Sequence, residues 1–366
     1  MSQSIPEFAP SFADPAEHHA SEPARPGLEP LPSTKPADVA VTPVASAMAL
    51  VADGLVEVET RLGELLHSRL AIIPKVGGHL TFAGGKRFRP MATLLAAQAA
   101  GYTCDEAWND TLTIAAAGEL LHTATLLHDD VIDEGEFRRG RPAARLPYGN
   151  GLSVLTGDYC FARALQSVSR LGKAAATSSM ADAVTLMAEG EIAQLYAAGE
   201  WEVDLERYTL VIERKTAALI AWCTAVAHLV EPDAAAALAR YGREVGFAFQ
   251  IADDIIDYTL DVETSGKARG QDLREGKVTL PLILACEREP ELRARLAELL
   301  RAGPPVAEAE LDRLLVAVVD AGGLDAAREQ GQAHVEAACE ALQALPPSPA
   351  REALGELARY IVGRTA

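Results

Sequence analysis

From Ala47 to the C-terminus, apolar residues recur every three or four positions in long stretches rich in Ala and Leu. This spacing places them on one face of an α-helix, whereas a half-buried strand would alternate. The stretches are interrupted at GG, PYGNG, EPD and AGPP, where Gly and Pro favour turns. The pattern predicts an all-α bundle of ten or more helices. In the segment 178–199, for example, one helical face would carry residues 180, 183, 184, 187, 191 and 194.

The first part of the chain has a different composition. Residues 1–46 are rich in Pro, Ala, Ser and Glu, with prolines at 6, 10, 15, 23, 26, 30, 32, 36 and 43. Each proline removes a backbone donor and fixes φ, so repeated prolines prevent regular helices and strands. Because large apolar residues are also few, we predict a disordered tail over 1–46 and one helical domain over 47–366.

Composition narrows the possible partners and compartment. The 366 residues are 49% hydrophobic, which is enough apolar material for one large domain or two small ones. A formal charge of −19, from 52 acidic and 33 basic residues, argues against a nucleic-acid partner, which needs a basic surface. The five cysteines show no CxxC spacing, which predicts free thiols in a reducing compartment. The N-terminus has no basic segment followed by an apolar one, so we predict a cytoplasmic chain without a membrane span.

An acidic cluster lies in the segment LLHDDVIDEGEFRRGRP, which contains Asp129, Asp130 and Asp133. On a helix, Asp129 and Asp133 would lie one turn apart on the same face, where like charges are destabilising unless a cation neutralises them. The surrounding Leu, Val and Ile residues indicate a packed helix, and a packed row of acids indicates a metal. Oxygen ligands without a nearby cysteine favour a hard ion such as Mg²⁺.

A second segment, FQIADDIIDYTLD, repeats this spacing with Asp253, Asp254 and Asp257. A single DDxxD segment is about equally well explained as a solvated helix face. Two copies in apolar helices that face each other would instead hold several Mg²⁺ ions that grip a diphosphate, because Mg²⁺ combines few carboxylates with substrate phosphates. Basic side chains that could balance the phosphate charge lie beside glycine turns and the acidic clusters: Lys86, Arg87, Arg89, Arg138, Arg139, Lys215, Lys267 and Lys277.

Ordered motifs between residues 47 and 290 resemble the trans-type isoprenyl diphosphate synthases, or polyprenyl synthetases. They are GGKRFRP, HTATLLHDDVIDEGEFRRGRP, GNGLSVLTGDY, GEIAQL, ERKTAALI, GFAFQIADDIIDY and SGKARGQDLREGKVTLPLI. The resemblance implies a helical bundle around a central cavity, in which isopentenyl diphosphate is condensed with an allylic diphosphate in the presence of three Mg²⁺ ions. It also implies a homodimer, and it is compatible with a peripheral membrane contact for product release.

The resemblance implies a role for each matching residue. Two Mg²⁺ ions would be held on one side of the allylic diphosphate by Asp129 and Asp133, with support from Asp130. A third would be held by Asp253, with help from Asp254 and Asp257. The allylic diphosphate would be contacted by Arg138, Lys215 and Lys267. The diphosphate of isopentenyl diphosphate would be bound by Lys86, Arg89, His122 and Arg139. The developing allylic cation would lie near Thr216 and Gln250, and the mouth of the site would be closed by Lys277.

Three further side chains need separate interpretation. Gln194 stands where some short-chain relatives carry an acid, so we do not assign it as a metal ligand. A lone His122 would be interpreted as a buried helix histidine, but its HTATLLHDD context favours the binding role. His128 is predicted to be structural.

Small residues before the first cluster bear on product length. Thr125 and Ala124 precede Asp129 by four and five positions, which places them about one turn (~5.4 Å) deeper along a helix. An aromatic residue there would block a growing chain, whereas these two leave a path. The surrounding segment also resembles synthases that make octaprenyl to decaprenyl chains for quinones such as ubiquinone. Met187 and Met180 could form the floor of the path, although ordinary core packing is the expected role.

Four alternative functions compete with a long-chain synthase. The nearest is a shorter-chain synthase that makes farnesyl or geranylgeranyl diphosphate and differs only in pocket depth. A class I terpene cyclase would not need GGKRFRP or the Arg138 and Arg139 pair. A non-catalytic subunit of a heteromeric synthase would typically lack the acidic motifs, and a di-iron bundle would need Glu-x-x-His pairs.

Overall fold

The structure, a computed structural model, describes residues 42–84, 87–102, 105–197, 204–225, 232–259, 269–302 and 307–364. Residues 1–41 of the predicted tail lie outside these ranges, so the tail stays a prediction. The helical region begins at Pro43, four residues before the predicted boundary at 47. Thr42 caps this first helix by accepting a hydrogen bond from the backbone N–H of Ala45 (3.2 Å). Pro43 stands at the start of the helix, where its fixed φ is favourable, so this proline starts a helix and does not prevent one.

The described residues are almost entirely helical apart from one short β-hairpin, which confirms the predicted all-α fold. The N-terminal helices are α1 Pro43–Leu50, α2 Ala52–Leu66, α3 Ile72–Thr81 and α4 Phe88–Ala99. The middle helices are α5 Asp105–Ile132, α6 Arg145–Tyr148, α7 Asn150–Ser169, α8 Ala174–Ala197, α9 Leu205–Ile212 and α10 Ala218–Thr224. The C-terminal helices are α11 Pro232–Thr259, α12 Gln271–Arg274, α13 Leu280–Arg288, α14 Pro290–Ala302, α15 Glu308–Asp320, α16 Gly323–Ala341 and α17 Pro349–Gly363, with a 3₁₀ turn at Leu342–Ala344.

Two long helices organise the core and carry the acidic clusters. The 28-residue α5 buries side chains in most directions and packs most extensively against α7. The 28-residue α11 packs chiefly against α16 and α10. A second apolar cluster, which includes Ile255 and Tyr258, attaches the C-terminal part of α11 to α13, α15 and α16. Both helices are therefore fixed by packing near the ends that bear the DDxxD segments.

Two local departures from α-helix matter for the site. The strands β1 Phe137–Arg138 and β2 Arg141–Pro142 form an antiparallel hairpin in which Arg138 pairs with Arg141. Its turn residues Arg139 and Gly140 have φ of 52° and 73°, the left-handed backbone that two-residue hairpin turns require. Between α9 and α10 lies a five-residue π-helical turn, Glu213–Ala217. This turn contains two of the predicted site residues.

The inner face of α8 agrees with the periodicity of the sequence. Met180, Ala183 and Met187 are 1%, 5% and 7% exposed, so the face that the segment 178–199 predicts does lie in the core. Within the described ranges, no helix combines the length and apolar character that crossing a bilayer requires.

Candidate active site

The first DDxxD segment lies at the C-terminal end of α5. Asp130 is 0% exposed, Asp129 is half-buried, and Asp133 follows the last helical residue and is exposed. Burial raises the pKa of Asp129 to about 6; the negative charges of Glu191 and Asp133 add to this rise, and Lys215 opposes it. The end of α5 is thus a place where negative charge accumulates and where a bound cation would be stabilised.

Asp130 connects this helix end to the β-hairpin. Its Oδ1 atom accepts a hydrogen bond from Nε of Arg138 at 2.8 Å, and Nη2 of the same ion pair also lies 2.8 Å away. Its backbone oxygen accepts from the N–H of Gly135 at 3.0 Å. The Oδ2 atom is buried without a hydrogen-bond partner among the described residues. A buried, unpartnered carboxylate oxygen is costly unless a ligand completes it, so Asp130 fits a nearby cation as well as an anchor for the hairpin.

The second segment, on α11, has a different hydrogen-bonding arrangement around Asp254. This residue is 1% exposed, and its Oδ2 accepts from the Tyr208 hydroxyl at 2.6 Å. Its Oδ1 accepts from Nε2 of Gln250 at 3.0 Å, and Oε1 of Gln250 accepts from the Thr216 hydroxyl at 3.1 Å. Burial and the charge of Asp272 raise the pKa of Asp254 to about 7, although its hydrogen bonds with Tyr208, Gln250 and the backbone of Leu280 favour ionisation. The predicted residues Thr216 and Gln250 are therefore in one chain of contacts with Asp254.

The other two acids of this segment hold neighbouring structure. Asp257 accepts hydrogen bonds from the backbone N–H groups of Gln271 (3.0 Å) and Asp272 (3.2 Å), so it caps the short helix α12. Asp253 lies 3.3 Å from Nη2 of Arg364, near the C-terminus. The three acids of this one DDxxD segment thus have three different local surroundings.

A cavity of about 560 Å³ lies between the two acidic segments. It is lined by residues of both, Asp133 and Asp254, and by a basic side chain of the π-helical turn, Lys215. The Lys215 ammonium donates to Oε1 of Gln194 at 2.9 Å and forms an ion pair with Glu191. Thr216, Gln250 and Lys277 also line the cavity. The structure therefore brings together six residues that the sequence analysis assigned to one site.

A group of basic side chains surrounds His122 on α5. Burial, and then the positive charges of Arg89 and Arg139, lower the pKa of His122 well below its usual value. His122 is therefore held as a neutral imidazole, able to donate a hydrogen bond from one ring nitrogen. Nη1 of Arg139 donates to the backbone oxygens of Leu80 (3.2 Å) and Gly84 (2.7 Å). Arg89 has a buried Nε atom with no hydrogen-bond partner among the described residues.

Arg87, next to the GGK motif, has a structural role. It pairs with Glu59 and with the buried Glu119, and its Nη2 donates to the Thr81 backbone oxygen at 2.7 Å. Its guanidinium is thus fully engaged in fixing the start of α4. Lys277 pairs with Glu275 at 2.7 Å. The predicted substrate residues Lys86 and Lys267 lie outside the described residues.

The remaining predicted residues of α5 are Ala124, Thr125 and His128. Ala124 is 0% exposed, and the Thr125 hydroxyl donates to the His122 backbone oxygen at 2.9 Å. His128 stacks on Phe161 and lies within hydrogen-bonding distance (3.1 Å) of the Val154 backbone oxygen, which supports a structural role.

Comparison with known proteins agrees with this arrangement. The family model described as "Polyprenyl synthetase" matches residues 71–318. The chain belongs to the polyprenyl synthetase family. Octaprenyl diphosphate synthase from Escherichia coli (strain K12) is 40% identical over 319 residues, which cover 86% of this chain and 97% of that protein. All-trans-nonaprenyl-diphosphate synthase (geranyl-diphosphate specific) from Rhodobacter capsulatus is 37% identical and covers 87% and 97%.

Solved structures of polyprenyl synthetases have the same fold. A polyprenyl synthase from Caulobacter crescentus CB15, crystallised with calcium and isoprenyl diphosphate, superposes with a TM-score of 0.82 at 38% identity, covering 88% of this chain and 98% of that chain. A decaprenyl diphosphate synthase from Rhodobacter capsulatus gives a TM-score of 0.82 at 39% identity, covering 88% and 99%. These similarities confirm the family and the helical fold that the motifs indicate.

Sequence reasoning missed three residues of this polyprenyl synthetase site. Tyr208 binds Asp254, Glu191 binds Lys215, and Asp272 lines the cavity. Burial and the nearby Asp257 raise the pKa of Asp272 to about 6. Glu191 and Asp272 lie inside the quoted motifs GEIAQL and GQDLREGK, so an acid in each was visible, whereas nothing in the sequence around Tyr208 marks it.

Proposed function

We propose that this polyprenyl synthetase condenses isopentenyl diphosphate with an allylic diphosphate to make a long-chain polyprenyl diphosphate, octaprenyl to decaprenyl in length, for a quinone such as ubiquinone. The main support for the proposal is that residues of both DDxxD segments and Lys215 line one cavity of about 560 Å³. The names of the octaprenyl and nonaprenyl relatives support the long product.

The donor set fits Mg²⁺, with three ions proposed per site. Asp129, Asp130 and Asp133 would hold two of them, and the second DDxxD segment would hold the third. No three Asp, Glu, His or Cys side chains among the described residues form a ready-made metal cage, which suits an ion that binds through few carboxylates and substrate phosphates. The unpartnered Oδ2 of Asp130 and the accumulated charge near Asp129 support this assignment. Bound Mg²⁺ would stabilise the charge that develops on the departing diphosphate.

We assign the second DDxxD segment unequal roles. Asp253, which pairs with Arg364 at 3.3 Å, would be the main ligand. Asp254 shares its oxygens with Tyr208 and Gln250, so it also fixes the α11 wall of the cavity. Asp257 supports the turn that carries Asp272.

The chain's own residues orient the two substrates. Lys215, with Arg138 and Lys267, would bind the allylic diphosphate, while Thr216 and Gln250 present dipoles towards the allylic carbon. Apolar side chains of Ile132, Leu195, Val211 and Ile212 on the cavity wall limit access of water to a reactive cation.

Isopentenyl diphosphate would be bound by the basic group around His122. The neutral His122 and Arg89, whose Nε atom is buried, would offer donors for its diphosphate together with Lys86 and Arg139. Lys277 would close the mouth of the cavity. In this proposal, Ala124 and Thr125 leave room for the growing chain.

We also propose a cytoplasmic homodimer. Large apolar side chains stay exposed on α7, including Leu155 at 65% and Leu165 at 45%, and on α8, including Ile192 at 65%. Burying such a face against a second copy would be favourable. A peripheral membrane contact would serve release of an apolar product.

The proposal is tested with the purified protein, labelled isopentenyl diphosphate and geranyl or farnesyl diphosphate. We expect label in a lipid-extractable product only when an allylic primer and Mg²⁺ are both present. Incorporation without a primer, or full activity in excess EDTA, would contradict it.

A further inference from the structure

The π-helical turn Glu213–Ala217 is an uncommon element that carries two residues of the cavity wall. Lys215 and Thr216 both line the cavity, and both lie inside this five-residue turn. A π turn has one more residue per hydrogen-bonded ring than an α turn; it occurs mostly as a single turn within an α-helix, and frequently at functional sites. Such a turn persists only where the surrounding structure holds it, so the residues that contact its backbone are of interest.

Two glycines contact the backbone of the π turn from opposite helices. A Cβ atom at Gly246 on α11 would lie 2.5 Å from Cα and 2.7 Å from Cβ of Ala217. A Cβ atom at Gly190 on α8 would lie 2.6 Å from the backbone nitrogen of Lys215 and 2.8 Å from Cβ of Arg214. Cβ atoms essentially never approach other heavy atoms within 3.0 Å, so only glycine allows either approach.

On α11, this close approach is aligned with the hydrogen-bonded chain of the site. Gly246, Gln250 and Asp254 are spaced by four residues, so they lie on one face of the helix. The Thr216 hydroxyl reaches Oε1 of Gln250 at 3.1 Å, and Nε2 of Gln250 reaches Asp254 at 3.0 Å. The separation of the two backbones at Gly246 therefore determines whether Thr216 can reach Gln250.

On α8, the second close approach determines the position of the lysine. Gly190 precedes Glu191, which pairs with Lys215, and lies one turn before Gln194, which accepts from Lys215 at 2.9 Å. The backbone of Lys215 thus packs against the same helix that binds its ammonium group. A shift of the turn away from Gly190 would move that ammonium relative to both partners.

We propose that Gly190 and Gly246 are positioning residues, which hold the π turn between α8 and α11 so that Lys215 and Thr216 face the reacting allylic diphosphate. This inference rests on the proposed prenyl transfer. A methyl group at either glycine would displace the turn by roughly 0.5–1 Å to restore normal contact distances. A misplacement of about 1 Å can lower a catalytic rate by about 100-fold.

The test compares Gly246→Ala and Gly190→Ala with Gly331→Ala, a control at another buried helical glycine. Gly331 lies on α16, and its added Cβ would also be close to α11, 3.3 Å from Ile251, but it does not line the cavity. For each variant, kcat, the two substrate KM values and Tm are measured on the full chain. We expect kcat to fall about 100-fold for Gly246→Ala and Gly190→Ala, with the KM for isopentenyl diphosphate within about twofold of the parent. For Gly331→Ala we expect an unchanged kcat.

Folded Gly246→Ala or Gly190→Ala protein with the parent kcat overturns the inference. So does a loss that also appears in Gly331→Ala, because it would show a general packing effect. If the alanine variants do not fold, Ala217→Gly removes the methyl group that faces Gly246 at the cost of ~1 kcal/mol in helix stability. Its kcat should fall about tenfold, and a parent-like kcat would overturn the inference as well. A parent protein without any prenyl transfer would refute the proposed function itself, before any variant is made.

Discussion

Replacing Tyr208 with Phe removes a single hydroxyl from the cavity wall and leaves the ring in place. That hydroxyl donates to Oδ2 of Asp254 at 2.6 Å, and Asp254 is 1% exposed. Gln250 donates to the other carboxylate oxygen at 3.0 Å. The change therefore leaves one oxygen of a buried carboxylate without this donor, which is costly in a site that water enters poorly.

The expected size follows from that contact. A hydrogen bond to a charged group contributes ~1.5–3 kcal/mol, so at a pH above the Asp254 pKa of about 7 the free energy of unfolding should fall by about that amount. If the whole loss also acted in the transition state, kcat would fall by roughly 10–150-fold, since each ~1.4 kcal/mol corresponds to a factor of ten. We expect a fall of about tenfold, because Gln250 still orients the carboxylate of Asp254.

A second buried tyrosine provides the control. The hydroxyl of Tyr241 donates to the backbone oxygen of Leu354 at 2.8 Å, and Tyr241 does not line the cavity. Tyr241→Phe should cost ~0.5–1.5 kcal/mol of stability and leave kcat unchanged. Urea unfolding gives the stabilities, and initial rates of isopentenyl diphosphate incorporation give kcat. A parent-like kcat in Tyr208→Phe would refute the assignment of this hydroxyl to the site.

Three further predictions concern metal, substrate and product. Asp129→Ala and Asp253→Ala should each lower kcat by at least about 100-fold with unchanged circular dichroism, because the charge on the departing diphosphate is left uncompensated. A rate within about tenfold of the parent would contradict the metal assignment. Arg89→Ala should raise the KM for isopentenyl diphosphate about tenfold with little effect on the KM for the allylic diphosphate, as measured by initial-rate kinetics. A change only in the allylic KM would mean that the two subsites are reversed. Ala124→Phe should shift products towards farnesyl and geranylgeranyl diphosphate at an overpacking cost of ~1–3 kcal/mol. If chromatography of the Ala124→Phe products gave the parent distribution, Ala124 would not line the product path.

The helices of this fold were predictable because packing and periodicity agree over long segments. The face of α8 that contains Met180 and Met187 is inward in the structure, as the spacing predicts. The hairpin at Arg138 and Arg141 was not predicted, because two-residue strands leave no alternation to detect. The π turn Glu213–Ala217 was not predicted either, since it depends on contacts with α8 and α11 and has no repeat of its own.

The type of chemistry at the site could be predicted from the sequence, but the roles of individual residues could not. The repeated DDxxD spacing identified Asp130 and Asp257, but their individual roles depend on distant partners. Asp130 binds Arg138 through the fold of the hairpin, and Asp257 caps a helix that begins 14 residues later. Tyr208 and Asp254 lie 46 residues apart and meet only because α9 packs against α11. Contacts of this kind follow from tertiary packing, which local sequence spacing does not specify.

Product size tests the central claim most directly. The purified protein is incubated with Mg²⁺, labelled isopentenyl diphosphate in excess and each of geranyl, farnesyl and geranylgeranyl diphosphate, and the dephosphorylated products are separated by chain length. We predict that the main product is an all-trans chain of octaprenyl to decaprenyl length with at least one of these primers. Products that stop at geranylgeranyl or shorter chains with every primer would contradict the long-chain claim.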